Sequence, residues 1–243
     1  MSQNNILPDE ELTDLCIKNR KVLQKKQGFR FSIDAVLLAH FIAPKKGNRV
    51  LDLGTGSAVI PLLLTAHNPG LHVTGVEVQT EIADMARRSV SHNQLEDEID
   101  IIPADLKTLS KDHYNTYDYV LSNPPFFPVG CGKQNPNPQI ALSRHELACT
   151  LEDLIRCASR TLKPRGHFAM IHRSERLTEI ICLCTKYHLT PLRLRMIQPN
   201  QSSDANLMLL EAVHNGKNTL SVLPPLCIYE EDGSYTPEVL SYY

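Results

Sequence analysis

The chain has 243 residues, with 25 lysines and arginines against 27 aspartates and glutamates and a formal net charge of −2. That length suits one α/β domain of the larger sort. The balance excludes a polycation that grips nucleic acid over its whole surface, and the absence of any run of about 18 apolar residues excludes a long apolar membrane helix.

Charge is nevertheless uneven. The stretch KNRKVLQKKQGFR (18–30) is basic, and LKPRG (162–166), HRSER (172–176) and LRLRM (192–196) add to it, a distribution that can still attract phosphates. The opening MSQNNILPDEEL lacks the basic-then-apolar pattern of a secretory signal, so a cytoplasmic protein is expected. Seven scattered cysteines include no C-x-x-C pair; they are read as buried and reduced, with no metal site.

The first 48 residues are expected to form an N-terminal extension that covers one edge of a site. Its centre, SIDAVLLAHF (32–41), reads as a helix with Ser32 placed to cap it. Residues 49–243 then alternate strand and helix, the two parts making one domain. RVLDLG (49–54), HVTGVEV (72–78), IDIIPAD (99–105) and YDYVLS (117–122) read as the first four strands of this core. VIPLLLTAH (59–67) and the amphipathic TEIADMARRSVSHN (80–93), with Thr80 as cap, read as helices between them. TLEDLIRCASRTL (150–162) is a helix capped by Thr150 and stopped by Pro164 and Gly166. HFAMIH (167–172) is a fifth strand, LTEIICLCTKYH (177–188) a further helix, and PLRLRMI (191–197) and NLMLLEAVH (206–214) the last two strands. The short loop between these two predicts antiparallel pairing. The expectation is a seven-stranded, mostly parallel α/β sheet with an antiparallel last strand and helices on both faces.

VLDLGTG places Asp52, Gly54, Thr55 and Gly56 at a strand-to-helix turn. Glycines there let the backbone approach a ligand closely. Glu77 and Asp105 end the next two strands and are placed to meet a ribose and an adenine amino group. A dinucleotide fingerprint wants a third glycine where Val59 stands, and Asp52 would repel a pyrophosphate while suiting a cationic ligand. The D-x-G-x-G spacing resembles motif I of the class I, Rossmann-like methyltransferases, which bind S-adenosylmethionine. Ala58 departs from the glycine that many of them carry.

NPPF (123–126) follows the fourth strand on the same edge. The Asn123 amide oxygen and the Pro124 carbonyl are two acceptors suited to an –NH₂ group, Pro125 stiffens them, and Phe126 offers a face on which a base can stack, an interaction of about 1–3 kcal/mol. This tetrapeptide resembles motif IV of the amino-group methyltransferases, which act on adenine N6, guanine N2 or a glutamine amide. With GFRFSIDAVLLAHF, NPPFFP, SRHELACTLEDLI, HRSERL and the tail LPPLCIYEEDGSYTPEVL, nearly the whole chain looks like the tRNA1(Val) adenine-37 N6-methyltransferase family in its Gram-positive form. One departure is Ser143, where alanine is expected before Arg144.

The resemblance implies methyl transfer from S-adenosylmethionine to an adenine of tRNA. It also implies that Phe31, Ser32 and Asp34 close over the methionine part of the cofactor. Phe126, Phe127, Arg144, Lys25 and Lys26 are candidate RNA contacts, with Arg165 and Arg173 as further phosphate contacts. Residues 127–146 read as a mobile loop beside the pocket. Alternatives left open are guanine-N2 methylation of ribosomal RNA, a dinucleotide-dependent oxidoreductase, and a silent RNA-binding protein on the same fold. Nothing in the sequence fixes an oligomeric state, and a monomer is the default.

Overall fold

The computed structural model describes residues 6–27, 31–124, 149–217 and 219–243. Strand-forming runs rich in Val, Ile and Leu assemble into one sheet in the order β10-β8-β9-β7-β6-β3-β4-β5. Its centre is β3 (Arg49–Leu53), flanked by β4 (His72–Glu77) and β6 (Tyr117–Ser122), with β5 (Ile99–Pro103) at one edge. β7 (Leu162–Arg173), β9 (Leu207–His214) and β8 (Leu189–Gln198) extend it on the other side. Among the described strands of this sheet, β9 alone runs antiparallel, to both β7 and β8, as the short loop required.

The expected count of seven strands is corrected to eight among the described residues. β10 (Ser221–Cys227) adds to β8 in parallel, and its register shifts between Leu223 and Leu226, around Pro224 and Pro225. Two adjacent prolines argue against a strand in sequence, but an edge strand tolerates them because it has a side that needs no N–H donors.

Alternation along each strand divides the interior into two cores. Val50, Leu121, Ala169 and Leu209 face one core, together with helices α1 (Ile33–Phe41), α2 (Val59–His67) and α3 (Thr80–His92). Leu51, Leu53, Val120, Phe168 and Leu210 face the other, with α4 (Leu151–Thr161) and α5 (Leu177–Lys186). A capping box starts α4: Asp153 N–H donates to Thr150 Oγ1 at 3.1 Å, and Thr150 N–H to Asp153 Oδ2 at 3.3 Å. The N-cap of α3 is Gln79 rather than Thr80, which already has helical backbone. The final short helix, α6 (Pro237–Leu240), joins the first core through Val239.

The N-terminal extension holds more than the expected helix. β1 (Glu10–Asp14) and β2 (Lys21–Lys25) form a separate antiparallel hairpin. It is fastened to α3 by Leu23 N–H to Ser89 Oγ at 2.9 Å, Lys21 N–H to Asn93 Oδ1 at 3.0 Å, and a two-pronged Arg88–Glu10 pair at 2.6 and 2.7 Å. Cysteine burial is mixed: Cys157 and Cys184 are buried, whereas Cys16 and Cys182 are exposed. No described helix is long and apolar enough to cross a membrane.

Candidate functional site

Parallel register places the predicted site residues along the C-terminal edge of the sheet, where open α/β sheets bind ligands. Asp52 lies opposite Gly75 in β4 and Leu121 in β6, and Glu77 opposite Pro103 in β5. Asn123 and Asp105 each follow two positions beyond those registers. Ser122 Oγ donates to the Leu53 carbonyl at 2.8 Å, which ties the end of β6 to the start of the glycine turn.

That turn is bent by left-handed residues: φ is +78° at Gly54, +55° at Gly56 and +70° at Ala58. The Gly54 and Thr55 amides both donate to the Val76 carbonyl, at 2.9 and 3.0 Å, so the turn lies close over β4. Gly75 permits this approach. A Cβ there would stand 2.8 Å from Thr55 Cγ2 and 2.9 Å from Ile101 Cδ1. In front of Gly54 and Gly56 the space is open.

Glu77 braces the turn from the other side. Its Oε2 accepts from Gly56 N–H at 3.1 Å and its Oε1 from Gln79 N–H at 2.9 Å. Each oxygen keeps a second lone pair for a ligand hydroxyl. Burial pushes its carboxyl above the usual range, while those amides act in the opposite direction. Asp52 is more extreme. It is 0 % exposed, and neither carboxylate oxygen has a hydrogen-bond partner among the described residues. Burial pushes it up to about 7; the Thr55 hydroxyl offsets part of the rise without a well-formed bond, and the Glu77 charge adds to it. Thr55 Oγ1 is likewise buried and unsatisfied among the described residues. A bare buried carboxylate is costly. Two adjacent acids with open acceptor capacity fit a ligand that brings cationic groups and hydroxyls, as S-adenosylmethionine does, and disfavour a pyrophosphate.

Asp105 uses Oδ1 to accept from Lys107 N–H at 2.9 Å and meets Lys107 Nζ at 3.3 Å through Oδ2, which leaves acceptor capacity on a carboxylate with about four lone-pair sites. Val78, which the sequence reading passed over, is 45 % exposed directly after Glu77 and offers this edge an apolar face. Gly75 and Ser122 were missed as well. In sequence both sit inside ordinary strands, and only the packing between strands reveals them.

The extension reaches the same edge. Asp34, in the first turn of α1, is buried, which raises its carboxyl; the Ser32 hydroxyl and the Arg173 charge at the end of β7 offset part of that rise. Phe31 packs against the first core. Lys25 is engaged by Asp9 at 2.7 Å and Glu10 at 3.6 Å, and Lys26 donates to the Pro8 carbonyl at 2.9 Å. Arg165 stands at the start of β7, on the edge of the sheet away from these residues, so it does not join the site. Asn123 and Pro124 are half-buried beside the edge. Pro125, Phe126, Phe127 and Arg144 lie outside the described residues, as does the whole 127–146 loop.

Comparison with known proteins agrees with this geometry. The methyltransferase small domain family matches residues 28–182. A tRNA1(Val) (adenine(37)-N6)-methyltransferase of Aeromonas salmonicida is 30 % identical over 179 residues, 73 % of each chain. One from Aeromonas hydrophila is 28 % identical over 204 residues, 84 % of each. A solved structure of a predicted O-methyltransferase from Agrobacterium tumefaciens superposes with a TM-score of 0.70 at 26 % identity, covering 86 % of this chain and 94 % of that one. The chain belongs to the methyltransferase small domain family, in the branch of the tRNA1(Val) (adenine(37)-N6)-methyltransferases.

Proposed function

We propose that the protein is an S-adenosylmethionine-dependent methyltransferase that modifies the N6 amine of an adenine in tRNA, adenosine 37 of tRNA1(Val), in the cytoplasm. The observation that carries this reading is the placement of Asn123 and Pro124 next to the bare acid Asp52 and the glycine turn, on one sheet edge.

When bound, S-adenosylmethionine supplies a methyl group activated by its sulfonium. The chain's own residues do the rest. Gly54, Thr55 and Gly56 give the ligand room, Glu77 receives ribose hydroxyls, Asp105 faces the adenine amine, and Asp52 answers positive charge. Phe31, Ser32 and Asp34 cover the methionine part. On the acceptor side the Asn123 amide oxygen and the Pro124 carbonyl accept the two N6 hydrogens. That draws the nitrogen toward tetrahedral geometry and frees a lone pair otherwise shared with the ring. Alignment and these hydrogen bonds supply the catalysis; no strong base is needed, because the amine becomes acidic only after it is methylated. Pro125 stiffens the pair and Phe126 stacks the base. An adenine already unpaired in an anticodon loop lowers the few kcal/mol needed to extrude it.

Methylation of purified tRNAs and of ribosomal RNA with labelled cofactor, followed by mapping of the modified nucleotide, tests the reading. Label on adenine N6 of tRNA1(Val) is expected. Label confined to guanine N2 of ribosomal RNA would overturn it.

A further inference from the structure

One row of side chains on the α1 face of the sheet joins four strands. Glu211 of β9 is 3 % exposed. Its Oε1 lies 2.7 Å from His167 Nδ1 of β7, and its Oε2 accepts from Arg193 Nε of β8 at 2.5 Å. His167 in turn stacks on Tyr119 of β6, ring centroids 4.9 Å apart. The row then reaches upward to the end of α1. Arg193 Nη2 donates to the Phe41 carbonyl at 2.8 Å and its guanidinium lies 4.8 Å from the centre of the Phe41 ring. The Tyr119 hydroxyl donates to the Ala43 carbonyl at 3.5 Å.

A helix C-terminus carries unsatisfied carbonyls and a partial negative charge, and a cation there satisfies both. Arg193 is that cation, and Glu211 orients it with two strong charged contacts. α1 is only nine residues long, Ile33–Phe41, so its two ends are about 13 Å apart at 1.5 Å per residue. An angular shift at Phe41 is therefore felt at Asp34.

We propose that Glu211, with Arg193 and His167, is a positioning group for cofactor binding: it holds the C-terminal end of α1 to the sheet and so sets where the first turn of that helix stands over the site. This rests on the reading of Ser32 and Asp34 as the cover of the methionine part. The network touches no reacting atom, so its loss raises the cofactor's dissociation constant and KM while kcat stays put.

The test is titration calorimetry with S-adenosylhomocysteine, together with KM and kcat for tRNA methylation, on Glu211→Gln, Arg193→Lys and Asp34→Asn. Glu211→Gln keeps the shape and removes the charge. Arg193→Lys keeps the charge at a half-exposed position and loses the fork, so it remains informative if the first variant folds poorly. Expected are a dissociation constant raised about 3- to 10-fold in both, kcat within twofold, and a defect in Asp34→Asn that does not add fully to that of Glu211→Gln. A lowered melting temperature with an unchanged dissociation constant in Glu211→Gln and Arg193→Lys, while Asp34→Asn binds weakly, would show a purely structural network and overturn the proposal. Unchanged binding in Asp34→Asn would overturn the cover reading itself, and the proposal with it.

Discussion

Two buried carboxylates, one at the edge of the sheet and one in its interior, are handled in opposite ways. Asp52 at the C-terminal edge is fully buried with no hydrogen-bond partner among the described residues, and its carboxyl is pushed up to about 7. Glu211 in the interior is almost as deeply buried, yet His167 and Arg193 meet both its oxygens and hold its carboxyl below the usual range despite the desolvation. Folding alone favours the second arrangement, because partners offset the desolvation cost of a buried charge and a bare one bears that cost in full. A bare acid kept at the sheet edge fits the binding role proposed for it, in which a cationic ligand supplies the partner that the fold does not.

The two carboxylates respond to pH in opposite directions. In the cofactor-free protein Asp52 has a folded pKa of about 7 against an ordinary 3.8. Between those values the unfolded chain has lost the proton and the folded chain keeps it, so this group lowers stability as pH rises, by at most about 4 kcal/mol over the window. Glu211 has the opposite sign: its depressed carboxyl contributes stability that is present above 4.5 and lost as pH falls through its folded value. Urea denaturation from pH 3.5 to 8 should therefore show the fall toward neutral pH shrink in Asp52→Asn, leaving the part due to Glu77 and Asp34, whose carboxyls burial also raises, and the acid-side loss shrink in Glu211→Gln. The same slopes in wild type and variants would remove the contrast.

Next in size, Asn123→Ala should lower kcat about 10²-fold or more with little change in S-adenosylhomocysteine affinity or melting temperature, since the role proposed for its acceptor lies in the transition state rather than in the fold. Near-normal turnover in single-turnover assays would contradict the role given to it. Gly75→Ala sharpens the edge side of the comparison. Its Cβ must displace both Thr55 and Ile101, so we expect a stability loss of about 1–3 kcal/mol and weaker cofactor binding, read by calorimetry. The smallest effect is expected at Ala58, a non-glycine residue at φ +70°. Ala58→Gly relieves left-handed strain of about 1–2 kcal/mol but frees the unfolded chain by about 0.4–1 kcal/mol, so denaturation should show a net gain of no more than about 1.5 kcal/mol, with no loss of binding.

The edge was more legible in sequence than the interior. Asp52, Glu77 and Asp105 each end a run of strand residues, and a glycine turn before a helix is a local pattern. Ala58 was noted as a departure from glycine, and the structure gives that departure a physical meaning. By contrast Glu211 sits in LMLLEAVH, where an acid inside an apolar run says nothing about its partners; those come from strands 18 and 44 residues away. The hairpin was missed because its connection, residues 15–20, takes positive φ at Cys16, Lys18 and Asn19 rather than at glycine, so the usual turn signal is absent. β10 was missed through its prolines. Gly75 needed a neighbour that only the folded chain supplies.

Those prolines have a consequence for how the protein behaves at high concentration. A sheet of eight strands has two open ladders of N–H and C=O groups, each a template on which another chain can build. Here both outermost strands carry proline, Pro103 in β5 and Pro224 with Pro225 in β10. A proline presents no N–H, and the shift of register around Pro224 and Pro225 breaks the regular spacing that a neighbour would need. The edges that resisted reading as strands in sequence are thus the same edges that resist pairing with other copies, which favours a sheet that stops at eight strands over one that grows into aggregates.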